Sequence, residues 1–193
     1  MITRTRLKLS SIAALGALTL LSGCGSALIE PPNYSVSQVQ SFKVAGAPSQ
    51  VMMLDVVDAN NTLPDAVWTD ALSDHAPAPR LRFITNSDDI ADGQTLKPEN
   101  RLVAVVNPTQ STAGDNICTS PQSAKLDATS NDVIVRFGFC VGDDAISQTR
   151  AHFNKDTFQT QLVDSAGTLN RQLFPRHIRD NDHDSCSRRT PGC

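Results

Sequence analysis

The stretch "DVIVRFGFCVGDD", residues 132–144, has the clearest structural pattern in the chain. Its apolar side chains fall on one face of a strand, and these are Val133, Val135, Phe137, Phe139 and Val141. The opposite face carries Ile134, Arg136, Gly138 and Cys140. Such alternation is typical of a strand that packs one face on a core and leaves the other partly open. We therefore predict a strand that ends in a Gly-Asp-Asp turn and presents the Cys140 thiol on its partly open face.

Outside this stretch, further apolar segments of strand length occur along the chain. Alternation or continuous apolar runs predict strands near residues 39–45, 51–57, 80–86 and 101–106. The run at 51–57 is nearly continuous, which favours a central strand.

Two segments have the period of helices. In residues 61–74, Thr62 is the expected N-cap and Pro64 lies in the first turn, which predicts about ten helical residues. In residues 156–175, apolar residues recur at helical spacing, and Gly167 allows a kink or a break.

The resulting order, β-β-α-β-β-β-α, predicts an α+β fold, a two-layer sandwich in which two helices pack on one face of a mostly antiparallel sheet. We place this domain at residues 36–175. Residues 24–35 contain a Pro-Pro pair and no periodicity, which predicts a tether. Residues 176–193 have no apolar stripe, which predicts a polar tail. The connection at 109–131 is long and polar, and Cys118 is expected to pin it.

Residues 1–23 have the three parts of a secretory signal peptide. A basic opening is followed by the apolar run "IAALGALTLL" at 12–21 and by the small residues Ser22 and Gly23. Ten apolar residues would span about 15 Å as a helix, half of the bilayer core, so we expect no permanent membrane span here.

The motif "LSGC" resembles the lipobox of bacterial lipoproteins, and its residues are Leu21, Ser22, Gly23 and Cys24. The resemblance implies a diacylglyceryl thioether on Cys24, cleavage before this residue and acylation of the new amino group. Two or more acyl chains give stable anchoring. Gly25, in place of an aspartate, favours the periplasmic face of the outer membrane of a two-membrane envelope.

Residues 100–175 also resemble small envelope lipoproteins that bring no assigned activity with them. The likeness rests on a cysteine-bearing strand before a Gly-Asp turn and on a closing helix that ends in Phe-Pro.

The charge of the mature chain limits its partners. Cleavage after residue 23 removes three positive charges and no negative charge, so the net charge of −3 becomes −6. An acidic chain lacks the basic footprint of nucleic-acid binding, and we expect no nucleic-acid partner.

With Cys24 assigned to lipid, four cysteines remain, namely Cys118, Cys140, Cys186 and Cys193. An even count in an oxidising compartment predicts disulfides, and four cysteines allow three connectivities. Pairing of neighbours, 118 with 140 and 186 with 193, is preferred because the alternatives require the tail to fold back onto the sheet.

Two clusters contain residue types that could carry chemistry. In the tail, His177 and His183 lie among aspartates and Cys186, all of which are zinc or copper ligands, but their spacing matches no known arrangement. Asp143 and Asp144 precede His152, but adjacent strand residues point in opposite directions and are poorly placed to share a substrate. We predict a solvated tail and a turn, with no catalytic residue, metal or cofactor.

Other signals of catalysis are absent from the sequence. It contains no G-x-S-x-G, S-x-x-K, phosphate-binding loop or C-x-x-C motif. The lone Trp68 is predicted to pack its helix on the core. Arg80 and Arg82 share one face of a predicted edge strand, where they protect the edge against aggregation or, as the less favoured reading, bind an acidic partner.

These observations favour a non-catalytic accessory lipoprotein. It would be held in the membrane by lipid on Cys24, where it binds or assembles another envelope protein. The alternative is a periplasmic hydrolase or metal-binding protein that uses His152 or the tail histidines.

Overall fold

The computed structural model describes residues 26–109, 117–127, 129 and 132–178. The main elements of these residues are one mixed sheet and three α-helices. The seven strands are β1 (Leu28–Ile29), β2 (Asn33–Tyr34), β3 (Val51–Val57), β4 (Arg82–Ile84), β5 (Asn100–Val106), β6 (Asp132–Val141) and β7 (Asp144–Asn154). The helices are α1 (Val39–Gly46), α2 (Asp65–Leu72) and α3 (Phe158–Leu173).

The strand order is β1-β7-β6-β5-β3-β4, and β2 also pairs with β7. Strand β3 runs parallel to its neighbours β4 and β5, and the other pairs are antiparallel. The connection from β3 to β4 contains α2, which gives the chain the length that parallel pairing needs. The fold thus combines helices with a mostly antiparallel sheet, as predicted. The described residues contain three α-helices, where two were expected.

Strands β6 and β7 form the longest hairpin of the described chain. Their loop is Gly142-Asp143, because Val141 pairs with Asp144. Gly142 has a φ of 58°, a conformation that favours glycine at the first position of a two-residue hairpin loop. The sequence predicted the turn but not the strand that follows it.

One core cluster contains side chains from all three helices and from β3, β5, β6 and β7. Trp68 of α2 is fully buried, and its ring centroid lies 5.6 Å from that of Phe158 and 6.4 Å from that of Phe137. The predicted inward set of β6 belongs to this cluster or packs against it. The predicted packing role of Trp68 is confirmed.

A second, smaller cluster contains β5 and β6 side chains of the opposite parity. Val103, Val105 and Cys140 pack there with Ile117 and Cys118 of the long polar connection. A disulfide joins Cys118 to Cys140, with 5.5 Å between their Cα atoms. The connection is therefore pinned to the sheet by the residue expected to pin it. The proposed partners Cys186 and Cys193 lie outside the described residues.

The predicted strand at residues 39–45 is wrong, since this segment lies in α1. Its buried residues are Val39, Lys43 and Gly46, which have helical spacing, while Phe42 and Val44 remain exposed. Lys43 is buried because its ammonium donates to the carbonyl of Pro77. Burial, with a smaller contribution from the nearby Arg176, lowers the pKa of Lys43 to about 8. Lysine is normally expected on the surface, so a pattern of polar and apolar residues does not show the helical period of this segment.

Residues 28–34 differ from the tether that was expected there. Leu28 pairs with His152 and Asn33 pairs with Gln148, so β1 and β2 add to the outer edge of β7 on either side of a Pro-Pro pair. Two-residue strands show no periodicity, which explains why the sequence did not reveal them.

The helices differ from expectation in detail. Helix α2 begins at Asp65 and has Pro64 as its N-cap, so Thr62 is not the N-cap and Pro64 lies just before the first turn. The backbone N–H of Thr62 donates to the carboxylate of Asp58 at 2.6 Å. Helix α3 continues through Gly167 without a break, and its predicted apolar face is buried. No described helix has both the length and the apolar character to cross a bilayer.

Replacement of both cysteines of the disulfide, Cys118→Ser with Cys140→Ser, should lower the free energy of unfolding by about 2–4 kcal/mol, because the bond restricts the unfolded chain. Urea denaturation with and without a reducing agent measures this effect. The reductant should destabilise the parent protein and leave the double variant nearly unchanged. Equal stability of the two proteins would contradict the bond.

Candidate functional site

An open groove of about 750 Å³ lies beside β2 and β7. Its lining combines charged, amide and apolar side chains. The polar part is contributed by Asn33, Arg136, Asp144, Gln148 and Arg150. The apolar part includes Val36, Phe42, Val141 and Ile146. The volume lies in the range of small-molecule sites, but the groove is more open and more polar than most of them.

The two arginines come together through the register of the β6–β7 hairpin. Arg136 pairs with Arg150, and Gly138 pairs with Gln148. Residues that pair across strands share a face, so both guanidinium groups lie on the side opposite the main core. The arrangement follows from the alternation of β6, which sends Val135 and Phe137 inward and Arg136 outward.

Arg136 is held in place within the groove. The whole residue is only 8% exposed, and its Nη2 donates to Oε1 of Gln148 at 3.0 Å. The amide of Gln148 therefore fixes the position of this guanidinium on the outer face of the hairpin.

Glu30 lies next to the second arginine. Its Oε1 is 3.7 Å from Nη1 of Arg150 and 2.8 Å from Nε2 of His152. The backbone N–H of Glu30 donates to the carbonyl of Arg150 at 2.8 Å. Glu30 therefore links the N-terminal segment to β7 through both its backbone and its side chain.

The N-terminal segment supplies one side of the groove through β2. Tyr34 faces the core side, where its hydroxyl donates to the carbonyl of Gln172 at 2.8 Å, and burial raises the pKa of this phenol. Asn33, the neighbour of Tyr34, then faces the groove opposite Gln148. Ser35 closes the pairing by donating its backbone N–H to the carbonyl of Ile146 at 3.1 Å.

A second charged pair lies on β3 and β5 and has a structural role. Arg101 Nε is 3.0 Å from Asp55 Oδ2, and the other guanidinium nitrogens donate to the carbonyls of Cys118 and Gly142. Burial raises the pKa of Asp55, and the charge and hydrogen bond of Arg101 oppose that shift. Arg101 thus ties the disulfide loop and the hairpin turn to the sheet.

The candidate residues found in the sequence do not converge on one centre. Asp143 is exposed in the hairpin loop, Asp144 lines the groove, and His152 faces Glu30. His177 is exposed near the end of the described chain, while His183 lies outside the described residues. Within the described ranges, no group of three or more histidine, cysteine or acidic side chains could hold a metal ion.

The predicted edge strand is confirmed, but it begins at Arg82, so Arg80 precedes it and the two arginines do not share a strand face. Strand β4 is the last strand of the sheet, and Arg82 donates to Oε1 of Gln94 at 3.1 Å, while Arg80 is exposed. Neither residue lines the groove.

The groove residues themselves were missed because their convergence depends on β7. Arg136 was placed on the outward face of its strand, but its partner Arg150 belongs to a strand without an apolar period. Ser147 and Thr149 occupy its inward positions, where the Ser147 hydroxyl donates to the carbonyl of Leu173. In "SQTRAH", residues 147–152, small side chains alternate with long polar ones. This alternation is the one signal in the sequence that could have indicated the strand.

Replacement of Glu30 tests how the N-terminal segment is held. Glu30→Ala removes the carboxylate from Arg150 and His152, so we expect amide hydrogen exchange at residues 28–35 to become at least several-fold faster. Hydrogen exchange followed by mass spectrometry measures this, with the exposed Glu99→Ala as the matched control. Unchanged exchange at 28–35, or equal acceleration in the control, would contradict the role of Glu30.

Comparison with known proteins gives no further guide to this site. No family model matches the chain, and neither a curated protein nor a solved structure is significantly similar to it.

Proposed function

We propose that this chain is a membrane-anchored accessory lipoprotein of the cell envelope, with a non-catalytic role in binding or assembly. The single observation that carries the binding role is the groove in which Arg136 and Arg150 lie side by side. Arginine keeps its charge at every physiological pH and does not exchange protons, so paired arginines suit recognition better than acid–base chemistry.

The anchor in this proposal is lipid on Cys24, inserted at the periplasmic face of the outer membrane. Its support is the lipobox at residues 21–24, behind a basic opening and an apolar run of signal-peptide length. The membrane is thus one partner, and an envelope protein that meets the anchored domain is the second.

The pairing of β1 limits how far the domain can stand from its anchor. Three residues lie between Cys24 and Leu28, and the four residue steps that join them place their Cα atoms at most about 14 Å apart. Because β1 is antiparallel to β7 and Leu28 pairs with His152, the anchor would lie beyond the end of β7 that leads into α3. The groove extends from Arg150 towards Ala145, in the opposite direction, and would remain accessible.

We also propose that the helices cover one face of the sheet and leave the other to the polar connection and the arginines. The shared core cluster of α1, α2 and α3 with inward strand residues supports this arrangement.

The alternative use of His152 in hydrolysis has less support. Its Nε2 is engaged with Glu30, a residue that fastens the N-terminal segment. The tail histidines remain candidates for metal binding only as a sequence-based hypothesis.

Replacement of the lipobox cysteine tests the anchor. Cys24→Ala should leave the precursor uncleaved by the lipoprotein pathway and without added lipid mass, because the sulfur that receives the diacylglyceryl group is absent. Mass spectrometry of the intact protein and solubility in carbonate-washed membranes measure the two effects. Ser22→Ala keeps a small residue in the motif and should behave as the parent protein. Equal lipid mass in Cys24→Ala and the parent, or its absence from both, would refute the anchor.

A further inference from the structure

We propose that the domain rests directly on the lipid surface through β1, with the side chain of Leu28 inserted among the lipid head groups. The inference rests on the proposed lipid anchor and identifies the part of the domain that the anchor brings to the membrane. Leu28 does not line the groove, so this surface is separate from it.

Leu28 is the most exposed large apolar side chain of the described residues. It is 65% exposed, whereas Phe42, Val44 and Val163 are 37%, 46% and 47% exposed. Covering such a side chain contributes free energy in proportion to the apolar area removed from water. Single exposed apolar residues are common on protein surfaces, so the place of Leu28 in the fold decides what covers it.

The register of β1 places Leu28 on the outer face of the sheet. Leu28 pairs with His152, and His152 pairs with Ile134, so these three side chains lie opposite the main core. The next residue, Ile29, pairs with Ala151 and packs against the core. This end of the hairpin, where β6 begins and β7 ends, therefore presents Leu28 beside the half-buried Ile134.

The connection between Leu28 and the proposed anchor is short. Three residues lie between Cys24 and Leu28, so the Cα atoms of these two residues are at most about 14 Å apart. The head-group region covers about 5–7 Å of each leaflet, outside the hydrocarbon core that holds the acyl chains. Even a fully extended connection would leave Leu28 less than about 10 Å above the head groups.

The segment that contains Leu28 cannot act as a spacer, because it is fastened to the sheet. The backbone N–H of Glu30 donates to the carbonyl of Arg150 at 2.8 Å, and the hydroxyl of Thr149 donates to the carbonyl of Glu30 at 2.9 Å. Oε1 of Glu30 also lies 2.8 Å from Nε2 of His152. The domain cannot leave the membrane surface without breaking these contacts, so the anchor holds this edge of the sheet at the lipid.

The charges at this end of the hairpin favour an apolar contact over an electrostatic one. In residues 132–134 and 152–157, the exposed charged side chains are Asp132, Lys155 and Asp156, two of them negative and one positive. An excess of positive charge is what draws a segment to anionic lipids. The contact should therefore depend on the insertion of Leu28 and not on anionic lipid.

Val44 provides an internal control at the other end of the sheet. It is 46% exposed and belongs to α1. Close to it, a Cβ atom on Gly46 would lie only 2.3 Å from Nδ2 of Asn100, and Asn100 pairs with Val141 at the turn of the hairpin. Val44 is thus an exposed apolar side chain at the turn end, whereas Leu28 lies at the open end.

The test is methyl NMR of the mature lipidated chain in phosphatidylcholine nanodiscs, with isotope labels at leucine, valine and isoleucine methyl groups. A nitroxide on a lipid acyl chain, just below the glycerol, accelerates the relaxation of methyl groups in the head-group layer. We expect the paramagnetic relaxation of Leu28 to be at least several-fold faster than that of Val44. Replacement of part of the phosphatidylcholine by phosphatidylglycerol should leave the relaxation of Leu28 unchanged.

Matched variants separate a contact made by Leu28 from simple closeness to the anchor. Leu28→Asp puts a charge in place of the apolar side chain, so the paramagnetic relaxation of the neighbouring Ile134 methyl group should fall at least several-fold. Leu28→Ser, which adds no charge, should act in the same direction. Val44→Asp should leave the relaxation of Ile134 unchanged. Parent-like hydrogen exchange at residues 28–35 verifies that β1 and β2 remain paired in each variant.

The outcomes separate this contact from the anchor on which it rests. A chain that carries lipid mass, but whose Leu28 relaxes no faster than Val44, refutes the contact alone. A chain without lipid mass refutes the anchor and the contact together. Unchanged relaxation of Ile134 in Leu28→Asp and Leu28→Ser, or a several-fold gain with phosphatidylglycerol, would also overturn the proposal. Intermolecular nuclear Overhauser effects between Leu28 and a second copy of the chain would assign this surface to self-association instead.

Discussion

The pairing register between β6 and β7 is the constraint on which the rest of the structure depends. It sets Val135 beside Ala151 in the core and Arg136 beside Arg150 on the opposite face. A slip of one residue would exchange the faces of a whole strand and bring a guanidinium into an apolar core, at a cost far above the stability of a domain of this size. The same register therefore determines both the packing around Trp68 and the charge of the groove.

The N-terminal segment connects this hairpin to the proposed anchor. Its two short strands cover the outer edge of β7, and Glu30 fixes them to Arg150 and His152. A segment that was expected to be a linker thus forms one side of the groove. In the proposed function, lipid attachment and ligand binding lie at opposite ends of one continuous piece of chain, which gives the anchored domain a defined orientation.

The sequence predicted those elements whose side chains follow a period or form a continuous apolar run, and these are β3, β4, β5, β6, α2 and α3. It also placed Arg136 on an outward face and Cys118 as a pin. It failed where burial depends on distant partners. Ser147 is buried because it donates to the end of α3, and Lys43 is buried because its ammonium reaches Pro77. No local pattern contains those partners, so β7, α1 and the arginine pair emerge only from the tertiary structure.

Nuclear Overhauser effects in an isotope-labelled sample of the mature chain would test the β6–β7 register most directly. We expect cross-strand backbone contacts between Arg136 and Arg150 and between Gly138 and Gln148. Contacts of Arg150 with Val135 or Phe137 as direct partners would show a register shifted by one residue. That result would place the arginines on different faces and contradict both the core and the groove described above.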